Sequence, residues 1–139
     1  MIRAVICDDE DAALKIITYS IENQGIPIEI VGTASDGKEA LALIKKENPN
    51  LVFLDIEMPG MNGFDVVEKL NAVNCKVIII TAYSTFSYAQ RALRLGVSDI
   101  IEKPIDTDTL KEAIQRAIGW EFTGNEALNK ALFYIHTHY

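Results

Sequence analysis

The sequence alternates between short apolar runs and longer segments in which apolar residues recur three and four positions apart. The short runs are rich in Val and Ile, which is typical of strands that are buried on both faces of a sheet. The predicted strands are Arg3–Cys7, Ile28–Ala34, Leu51–Leu54, Lys76–Thr81 and Ser98–Ile101. The predicted helices that follow them in turn are Ala12–Asn23, Gly37–Glu47, Gly63–Asn71, Phe86–Leu95 and Asp106–Ile118.

Strict alternation of strand and helix restricts the architecture to a few possibilities. Parallel strands need long crossover connections, and right-handed crossovers place the connecting helices on both faces of the sheet. The predicted fold class is therefore α/β, a doubly wound five-stranded parallel sheet in a three-layer (βα)5 sandwich. At 139 residues the chain is long enough for one such domain with a hydrophobic core of its own.

Charge and hydropathy exclude several kinds of partner. The formal net charge is −7, from 20 acidic and 13 basic side chains, which argues against DNA binding by this chain itself. Apolar runs such as Val77–Ile80 are far shorter than the roughly 20 residues that span a bilayer, so we expect no membrane contact. Cys7 and Cys75 lie in apolar, strand-like surroundings, where a free cysteine behaves as a small hydrophobe. Together these features predict a cytoplasmic protein.

Residues 119–139 depart from the alternating pattern. Gly119 follows the last periodic residue of the fifth helix and is predicted to end it. Asn125 can cap one further helix, from Glu126 to about Thr137, which has apolar residues along one side. We therefore expect a domain at residues 1–118, and a linker with an extra C-terminal helix at residues 119–139.

Polar side chains stand where the predicted strands end. Asp8 and Asp9 follow the first strand, Asp55 follows the third, Thr81 ends the fourth and Lys103 follows the fifth. The carboxyl ends of parallel strands share one edge of the sheet, so these five side chains should converge. Three carboxylates, a hydroxyl and an ammonium group are what an Mg²⁺-assisted phosphoryl-transfer site uses. The sequence predicts such a site at this edge.

Each of these residues also has an ordinary structural explanation. Acids in the run Asp8–Asp11 can stabilise the N-terminus of a helix, and a lone Asp55 can be a turn residue. Thr81 can be a strand-end hydroxyl, and Lys103 can be a solvated surface charge. The phosphoryl-site interpretation is favoured because all of them fall at strand ends of one sheet that is inferred without them.

Four segments carry a family resemblance: Asp8-Asp9, the stretch Asp-Ile-Glu-Met-Pro-Gly-Met-Asn-Gly at 55–63, Thr81-Ala82, and Lys103-Pro104. In combination they resemble the receiver domain of bacterial two-component response regulators, over about residues 2–118. The resemblance implies a flavodoxin-like receiver fold. It also implies a signalling switch rather than an enzyme, with only self-phosphorylation from a donor and slow loss of the phosphate.

The resemblance further implies a role for each residue of the cluster. Asp55 would be the phosphoacceptor, which takes phosphate from a phosphohistidine of a sensor histidine kinase and forms an acyl phosphate. Thr81 and Lys103 would bind the phosphoryl group. The implied ligands of Mg²⁺ are Asp9, Asp55 and the backbone carbonyl of Glu57, with Asp8 assisting through water.

Two positions near the fifth strand bear on the switch. The Lys103–Pro104 peptide is expected to be cis, because Lys103 must turn back toward the acids and receivers have a cis turn here. Receivers usually carry Tyr or Phe three residues before this Lys, and that aromatic ring swings inward with the Thr. Here the residue is Ile100. Phosphorylation should not depend on this position, because Ile100 is not a ligand. The usual conformational change of the aromatic ring would have to be taken over by nearby Tyr83, Phe86 or Tyr88.

The output of the switch is predicted from two weaker resemblances. Residues 83–93 resemble receivers attached to AraC-type helix-turn-helix domains, and residues 127–139 resemble the first helix of such a domain. An ordinary amphipathic C-terminal helix is the alternative for the second segment. On the first interpretation, DNA is bound only through a C-terminal domain that is absent from this chain. Phosphorylation is then expected to promote a homodimer through the fourth helix, fifth strand and fifth helix.

Two other functional classes use a similar fold or nucleophile. A phosphatase of the haloacid-dehalogenase type would need an Asp-x-Asp motif after the first strand and a cap domain, whereas here Asp8-Asp9 is followed by Glu10. It stays as the alternative, to be tested by turnover of a small phosphoester. A flavodoxin-like carrier of FMN would need a phosphate-binding loop after the first strand, where Asp8–Asp11 would repel the phosphate. We discard it.

Overall fold

The structure is a computed structural model, and it describes residues 1–70, 75–82 and 85–119. Its strands are β1 (Ile2–Cys7), β2 (Ile28–Ala34), β3 (Leu51–Asp55), β4 (Lys76–Thr81) and β5 (Asp99–Glu102). Its helices are α1 (Asp11–Asn23), α2 (Gly37–Glu47), α3 (Gly63–Lys69), α4 (Phe86–Leu95) and α5 (Thr107–Ile118). Strands and helices alternate along the chain, which confirms the predicted α/β fold class.

The five strands form one parallel sheet in the order β2-β1-β3-β4-β5. The strand order reverses between β1 and β3, because the chain goes from β1 outward to β2 and then returns to the other side of β1. Ligands of doubly wound sheets bind at this switch point, at the carboxyl ends of the strands. In register, Cys7 lies opposite Leu54, and Asp55 lies opposite Ile80. The residues that follow β1 therefore lie beside the end of β3.

Side chains alternate between two core layers, one on each face of the sheet. In β1, Ala4 and Ile6 pack in the layer under α1 and α5, whereas Val5 and Cys7 pack in the layer under α2, α3 and α4. Both layers are filled, so the strands are continuous apolar runs rather than alternating ones. Burial, with Asp8 and Glu39 nearby, raises the pKa of the Cys7 thiol to about 12. The thiol therefore stays neutral and packs as an apolar group, as predicted.

Two predicted boundaries at the fifth βα unit shift by one residue. Asp106, predicted as the first residue of the fifth helix, is the N-cap of α5 and accepts a hydrogen bond from the Thr109 amide at 2.9 Å. Asp106 stays outside the helix because its side chain replaces a missing backbone partner. The fifth strand, predicted at Ser98–Ile101, lies one residue later, since β5 runs to Glu102, opposite Thr81.

The third helix is shorter than predicted. It ends at Lys69 with Leu70 as its C-cap, whereas the apolar period continues to Asn71, which lies outside the described residues. Periodicity cannot locate such an end, because the residues after Lys69 keep helix-compatible side chains. Three smaller extensions of one residue add Ile2 to β1, Asp11 to α1 and Asp55 to β3.

The loop between β3 and α3 leaves no space for a side chain at Gly63. The Gly63 amide donates a hydrogen bond to the carbonyl of Ile56 at 3.0 Å. A Cβ at Gly63 would lie 2.5 Å from the carbonyl oxygen of Asp55 and 2.9 Å from the Cα of Ile56. Asn62 caps α3 by accepting a hydrogen bond from the Asp65 amide at 3.0 Å. Asn62 and Gly63 together fix the backbone that carries Asp55.

Helix α4 rests on α3 through an aromatic cluster at its edge. Within α4, Ala92 is the only buried residue. The ring of Tyr88 packs edge-on against Phe64, with 5.3 Å between ring centroids. The guanidinium group of Arg91 lies 4.6 Å from the centroid of the Phe64 ring and forms an ion pair with Glu68 at 3.1 Å. Contacts at the rim therefore contribute much of what holds α4.

The predicted linker and extra C-terminal helix lie outside the described residues, apart from Gly119, which adopts a left-handed conformation at the end of α5 as expected. None of the helices in the described part of the chain is long and apolar enough to cross a bilayer.

Replacing Gly63 by Ala should destabilise the protein by about 2 kcal/mol, because the new Cβ collides with backbone rather than with a movable side chain. Chemical denaturation of the variant measures this change in the free energy of unfolding. Gly25→Ala is the control for the general cost of removing a glycine, since Gly25 has a φ of +64° but a Cβ there would have nothing within 4 Å. It should cost only about 1 kcal/mol. Equal losses in the two variants would contradict the steric argument.

Candidate functional site

Three carboxylates meet at the carboxyl ends of β1 and β3. Oxygen atoms of Asp8, Asp9 and Asp55 lie within 4.8 Å of one another. Asp8 and Asp55 are both 1% exposed, whereas Asp9 is exposed. Successive residues of extended chain point to opposite sides, so the neighbours Asp8 and Asp9 differ in burial. The predicted convergence of these three acids is confirmed in position.

Lys103 reaches the same cluster from the loop after β5. Its Nζ lies 3.0 Å from Oδ2 of Asp8 and 3.5 Å from Oδ2 of Asp55, and it also contacts the carboxylate of Glu10. The Lys103–Pro104 peptide is cis, as predicted. The side chain of Lys103 is only 14% exposed. Its ammonium group therefore neutralises part of the negative charge from within the site rather than from the solvent.

Backbone amides fix the two buried carboxylates. Oδ1 of Asp8 accepts a hydrogen bond from the amide of Glu10 at 2.9 Å, and Oδ1 of Asp55 accepts one from the amide of Glu57 at 3.2 Å. In each case the donor is two residues further along the chain, which is the geometry of an Asx turn. Each carboxylate thus keeps its second oxygen directed at the cluster.

Thr81 ends β4 with its side chain fully buried at the site. Its hydroxyl donates a hydrogen bond to Oε1 of Glu57 at 2.9 Å. The sequence predicted Thr81 as a site residue and Glu57 as a residue beside the site with its backbone carbonyl toward Mg²⁺, but it did not predict this side-chain contact. The side-chain contact depends on how the loop after β3 folds back toward β4, and no sequence pattern records that. The contact of Glu10 with Lys103 was missed for the same reason.

Crowding of the acids shifts the protonation equilibria of the site. Burial raises the pKa of Asp55, and repulsion by Asp8 raises it further, whereas the charge of Lys103 lowers it. The pKa of Asp55 is about 7, against an ordinary value of 3.8. Burial lowers the pKa of Lys103, but hydrogen bonds to Glu10 and Asp8 raise it by more, so the ammonium form is favoured. An ionised Asp55 is thus disfavoured until further positive charge arrives.

The donor atoms fit a hard divalent cation. Mg²⁺ binds oxygen ligands at about 2.0–2.1 Å and keeps several waters, so it needs only two or three protein oxygens on one side. The carboxylates of Asp8, Asp9 and Asp55 supply such oxygens, and exposed Asp9 leaves that side of the cluster open to water. The excess of negative charge over the single ammonium of Lys103 favours a cation at the same place.

A cavity of about 510 Å³ opens beside Lys103, between the start of α1 and the loop after β5. Among the described residues that line it, Glu10 and Lys103 are polar and the others are apolar: Ala12, Ala13, Ile16, Ala82, Pro104 and Ile105. The cavity gives access to the side of the cluster at which the ammonium group lies.

Comparison with known proteins decides the family. Residues 4–115 match the response regulator receiver domain. The chain belongs to this family. It is 35% identical over 114 residues to an uncharacterized response regulatory protein of Staphylococcus epidermidis, which covers 82% of the chain and 45% of the relative. It is also 35% identical over 118 residues to the transcriptional regulatory protein HptR of Staphylococcus aureus, which covers 85% of the chain and 47% of the relative. The chain therefore spans about half the length of these relatives.

Solved structures agree with this assignment. A DNA-binding response regulator of the LuxR family from Staphylococcus aureus superposes with a TM-score of 0.77 at 31% identity, over 84% of this chain and 98% of that one. The receiver domain of AraT, a response regulator from Geobacillus stearothermophilus, superposes with a TM-score of 0.75 at 33% identity. The superposition covers 94% of this chain and 98% of that one. A chain of the CheX-CheY-BeF₃-Mg²⁺ complex of Borrelia burgdorferi superposes with a TM-score of 0.76 at 29% identity. The superposition covers 82% of this chain and 87% of that one.

Membership of the receiver family confirms the resemblance found in the sequence. Receiver domains are signalling switches of two-component systems rather than classical enzymes, and they bind Mg²⁺ at an acidic cluster of Asp residues. The phosphatase alternative has no support from the match. Ile100 is partly buried and packs against the core layer under α2, α3 and α4. Tyr83, one of the aromatics expected to take over its usual role, lies outside the described residues.

Replacing Asp55 by Asn should stabilise the metal-free protein, and more so at pH 8 than at pH 5. The folded-state pKa of Asp55 is raised to about 7, so between about 4 and 7 the folded protein binds a proton that the unfolded chain releases. Stability is then lost as the pH rises through that window, and the Asn variant avoids this loss. We expect its melting temperature in EDTA to exceed that of the wild type by about 3–6 °C at pH 8.

The control for this experiment is Asp11→Asn, which removes an exposed carboxylate that pairs with Lys15 at 2.9 Å on the surface of α1. Exposed ion pairs contribute little, so its melting temperature should change by no more than about 1 °C at either pH. A lower melting temperature for Asp55→Asn than for the wild type at pH 8 would contradict the electrostatic account of the site.

Proposed function

We propose that this chain is the phosphoacceptor part of a response regulator and that Asp55 receives the phosphoryl group. One observation carries the proposal. The Asp55 carboxylate is buried at the end of β3, with the ammonium of Lys103 at 3.5 Å and the acids Asp8 and Asp9 beside it. A nucleophile, a positive group and a cation-binding cluster therefore share one rim of the sheet.

The proposed reaction moves a phosphoryl group from a phosphohistidine of a sensor histidine kinase to Asp55. An oxygen of Asp55 bonds to phosphorus as the phosphorus–nitrogen bond breaks, and the electron pair of that bond stays on the imidazole, which takes up a proton. The product is an acyl phosphate on Asp55. Water later cleaves it slowly, which restores the carboxylate and releases phosphate.

The neighbouring groups have separate roles in this proposal. Lys103 places its positive charge against the transferred oxygens, and the hydroxyl of Thr81 donates a hydrogen bond to one of them. Mg²⁺, when it is held by Asp9, Asp55 and the Glu57 carbonyl with Asp8 assisting through water, adds further positive charge at the same oxygens.

The cavity beside Lys103 supports a docking position for the kinase. It joins an apolar surface from α1 and the loop after β5 to the polar rim that carries Asp55. An imidazole has to approach Asp55 from outside the sheet, and exposed Ala82 presents only a small side chain on the β4 side. We assign the histidine-bearing segment of the kinase to this surface. A kinase partner of this kind places the chain in the cytoplasm.

The output of the switch is proposed to be transcription control through a DNA-binding domain that follows residues 1–139. Support comes from the relative named as a transcriptional regulatory protein and from the chain spanning about half of it. We assign residues 1–118 to the receiver, and residues 119–139 to a linker and helix that lead to an AraC-type domain. The coding sequence beyond Tyr139 tests this assignment, because a different domain there would refute it.

A phosphorylation-dependent homodimer is proposed through α4, β5 and α5. Phe86 and Leu93 are each 78% exposed. They are seven residues apart and therefore lie on one face of α4. Movement of Thr81 toward a phosphoryl group would displace the chain that leads into α4, and a surface that differs between the two states can favour association in one of them.

Phosphoramidate with Mg²⁺ should add one phosphate to the wild-type protein and none to Asp55→Asn, because the neutral amide has no anionic carboxylate oxygen to attack phosphorus. Intact-protein mass spectrometry measures the product, and peptide mapping locates it. Asp9→Asn should slow the reaction at low Mg²⁺ concentration through loss of a ligand. Asp11→Asn, which removes a carboxylate of the same type from the exposed surface of α1, should react like the wild type. A label on Thr81 or on a histidine would refute Asp55 as the acceptor.

Beryllofluoride, a phosphoryl mimic, should convert the protein from monomer to dimer at micromolar concentrations in sedimentation velocity. Leu93→Lys should prevent this, because it places a charge on the exposed apolar face of α4 that Leu93 shares with Phe86. Tyr19→Lys is the matched control, because Tyr19 is a large hydrophobic residue on α1 that is 57% exposed. The Tyr19→Lys variant should still dimerise. The dimer proposal fails if the wild type sediments identically with and without beryllofluoride.

A further inference from the structure

The contact between Glu57 and Thr81 has no part in the proposed phosphoryl transfer, yet it engages one of the groups on which that transfer depends. The Thr81 hydroxyl donates to Oε1 of Glu57 at 2.9 Å, and Thr81 is fully buried. Oε2 of Glu57 is also buried and has no hydrogen-bond partner among the described residues. The hydrogen bond from the Thr81 hydroxyl is therefore a main contact that holds the Glu57 carboxylate at the site.

A hydroxyl has a single proton to donate. While the proton of Thr81 is directed at Glu57, it cannot be directed at an oxygen of a phosphoryl group on Asp55. Binding the phosphoryl group must therefore break the bond from Thr81 to Glu57. A hydrogen bond to a carboxylate is about twice as strong as one to a neutral acceptor. It must break before the hydroxyl can turn to the phosphoryl oxygen, and this raises the barrier to phosphorylation.

We infer that Glu57 is a positioning residue that holds the Thr81 hydroxyl away from Asp55 until phosphorylation, and so slows acceptance of the phosphoryl group. The inference rests on the proposed function, since it assigns a role to Glu57 in the reaction at Asp55. It concerns the Glu57 side chain alone. The backbone carbonyl of the same residue keeps its separate assignment toward the cation.

A general effect of charge is the competing explanation. The carboxylate of Glu57 adds one negative charge near an incoming phosphate, and removal of any nearby charge would favour phosphorylation to some degree. The two explanations differ in one respect. Only the positioning role requires the hydroxyl of Thr81, so the two side chains must be changed separately and together.

The experiment measures the rate of phosphorylation by phosphoramidate at saturating Mg²⁺, by intact-protein mass spectrometry. Glu57→Gln keeps the size of the side chain and an oxygen acceptor but makes the hydrogen bond neutral. We expect it to react about tenfold faster than the wild type. Glu57→Ala removes the acceptor altogether and should react at least as fast. Both substitutions leave the backbone carbonyl in place.

The deciding measurement repeats Glu57→Gln in a Thr81→Val background, where no hydroxyl exists to be held. The positioning role predicts that the tenfold gain disappears there, as in a double-mutant cycle between two contacting residues. An equal gain in both backgrounds would instead show a general effect of charge and overturn the inference. Thr81→Ala serves as a second background in case Val disturbs the buried site, and circular dichroism checks that each variant is folded.

Glu102→Gln is the matched control for charge. Glu102 is exposed at the end of β5, in register with Thr81, and it is outside the acidic cluster. Its substitution should leave the rate within about twofold of the wild type. If the wild type is phosphorylated on Asp55 but Glu57→Gln reacts no faster, the inference alone fails. If the wild type takes no phosphate on Asp55, the proposed function fails and the inference fails with it.

Discussion

The ammonium group of Lys103 among buried carboxylates is the interaction on which the rest of the site depends. Asp8 and Asp55 are both almost fully buried, and two adjacent buried anions repel each other strongly in a medium that screens poorly. With Lys103 at 3.0 and 3.5 Å, one of the two charges is compensated and the remainder is left for a cation. The site is thus held together by attraction, yet it keeps a net negative charge. This combination suits a site that binds a cation and, in the proposed function, a phosphoryl group only transiently.

The sheet places these groups without any long excursion of the chain. Asp8, Asp55 and Thr81 each stand at or just beyond the end of a strand whose preceding residues are locked in the core, so their backbones have little freedom. Lys103 comes from the next strand end and turns inward at a cis peptide. The precise placement of these side chains therefore comes from the hydrophobic layers, and the loops contribute mainly hydrogen bonds that orient the carboxylates.

The sequence was sufficient for the architecture and for the members of the acidic cluster. Apolar runs on both faces determined the parallel sheet, and the positions of Asp8, Asp55, Thr81 and Lys103 at strand ends brought them together once the sheet was known. The side-chain contacts of Glu57 and Glu10 could not be predicted, because they depend on loop conformations and rotamers that leave no periodic signal. Nor could the sequence distinguish buried Asp8 from exposed Asp9. Helix ends were the hardest to locate, since side-chain caps such as Asp106 decide them locally.

Helix α4 has a different mechanical character from the other helices that cover the sheet. Ala92 is its one buried residue, and Arg91 and Tyr88 attach it to the ring of Phe64 at its margin. Tyr88 and Leu95 are only partly buried against the core. Sliding or rotation of this helix would therefore move fewer enclosed apolar atoms into water than the same displacement of α1 or α5. Of the five described helices, α4 has the fewest buried residues. The cation–π contact of Arg91 and the edge-on contact of Tyr88 both lie on one ring, that of Phe64. A small displacement of the helix would preserve both contacts, because neither depends on a single fixed geometry.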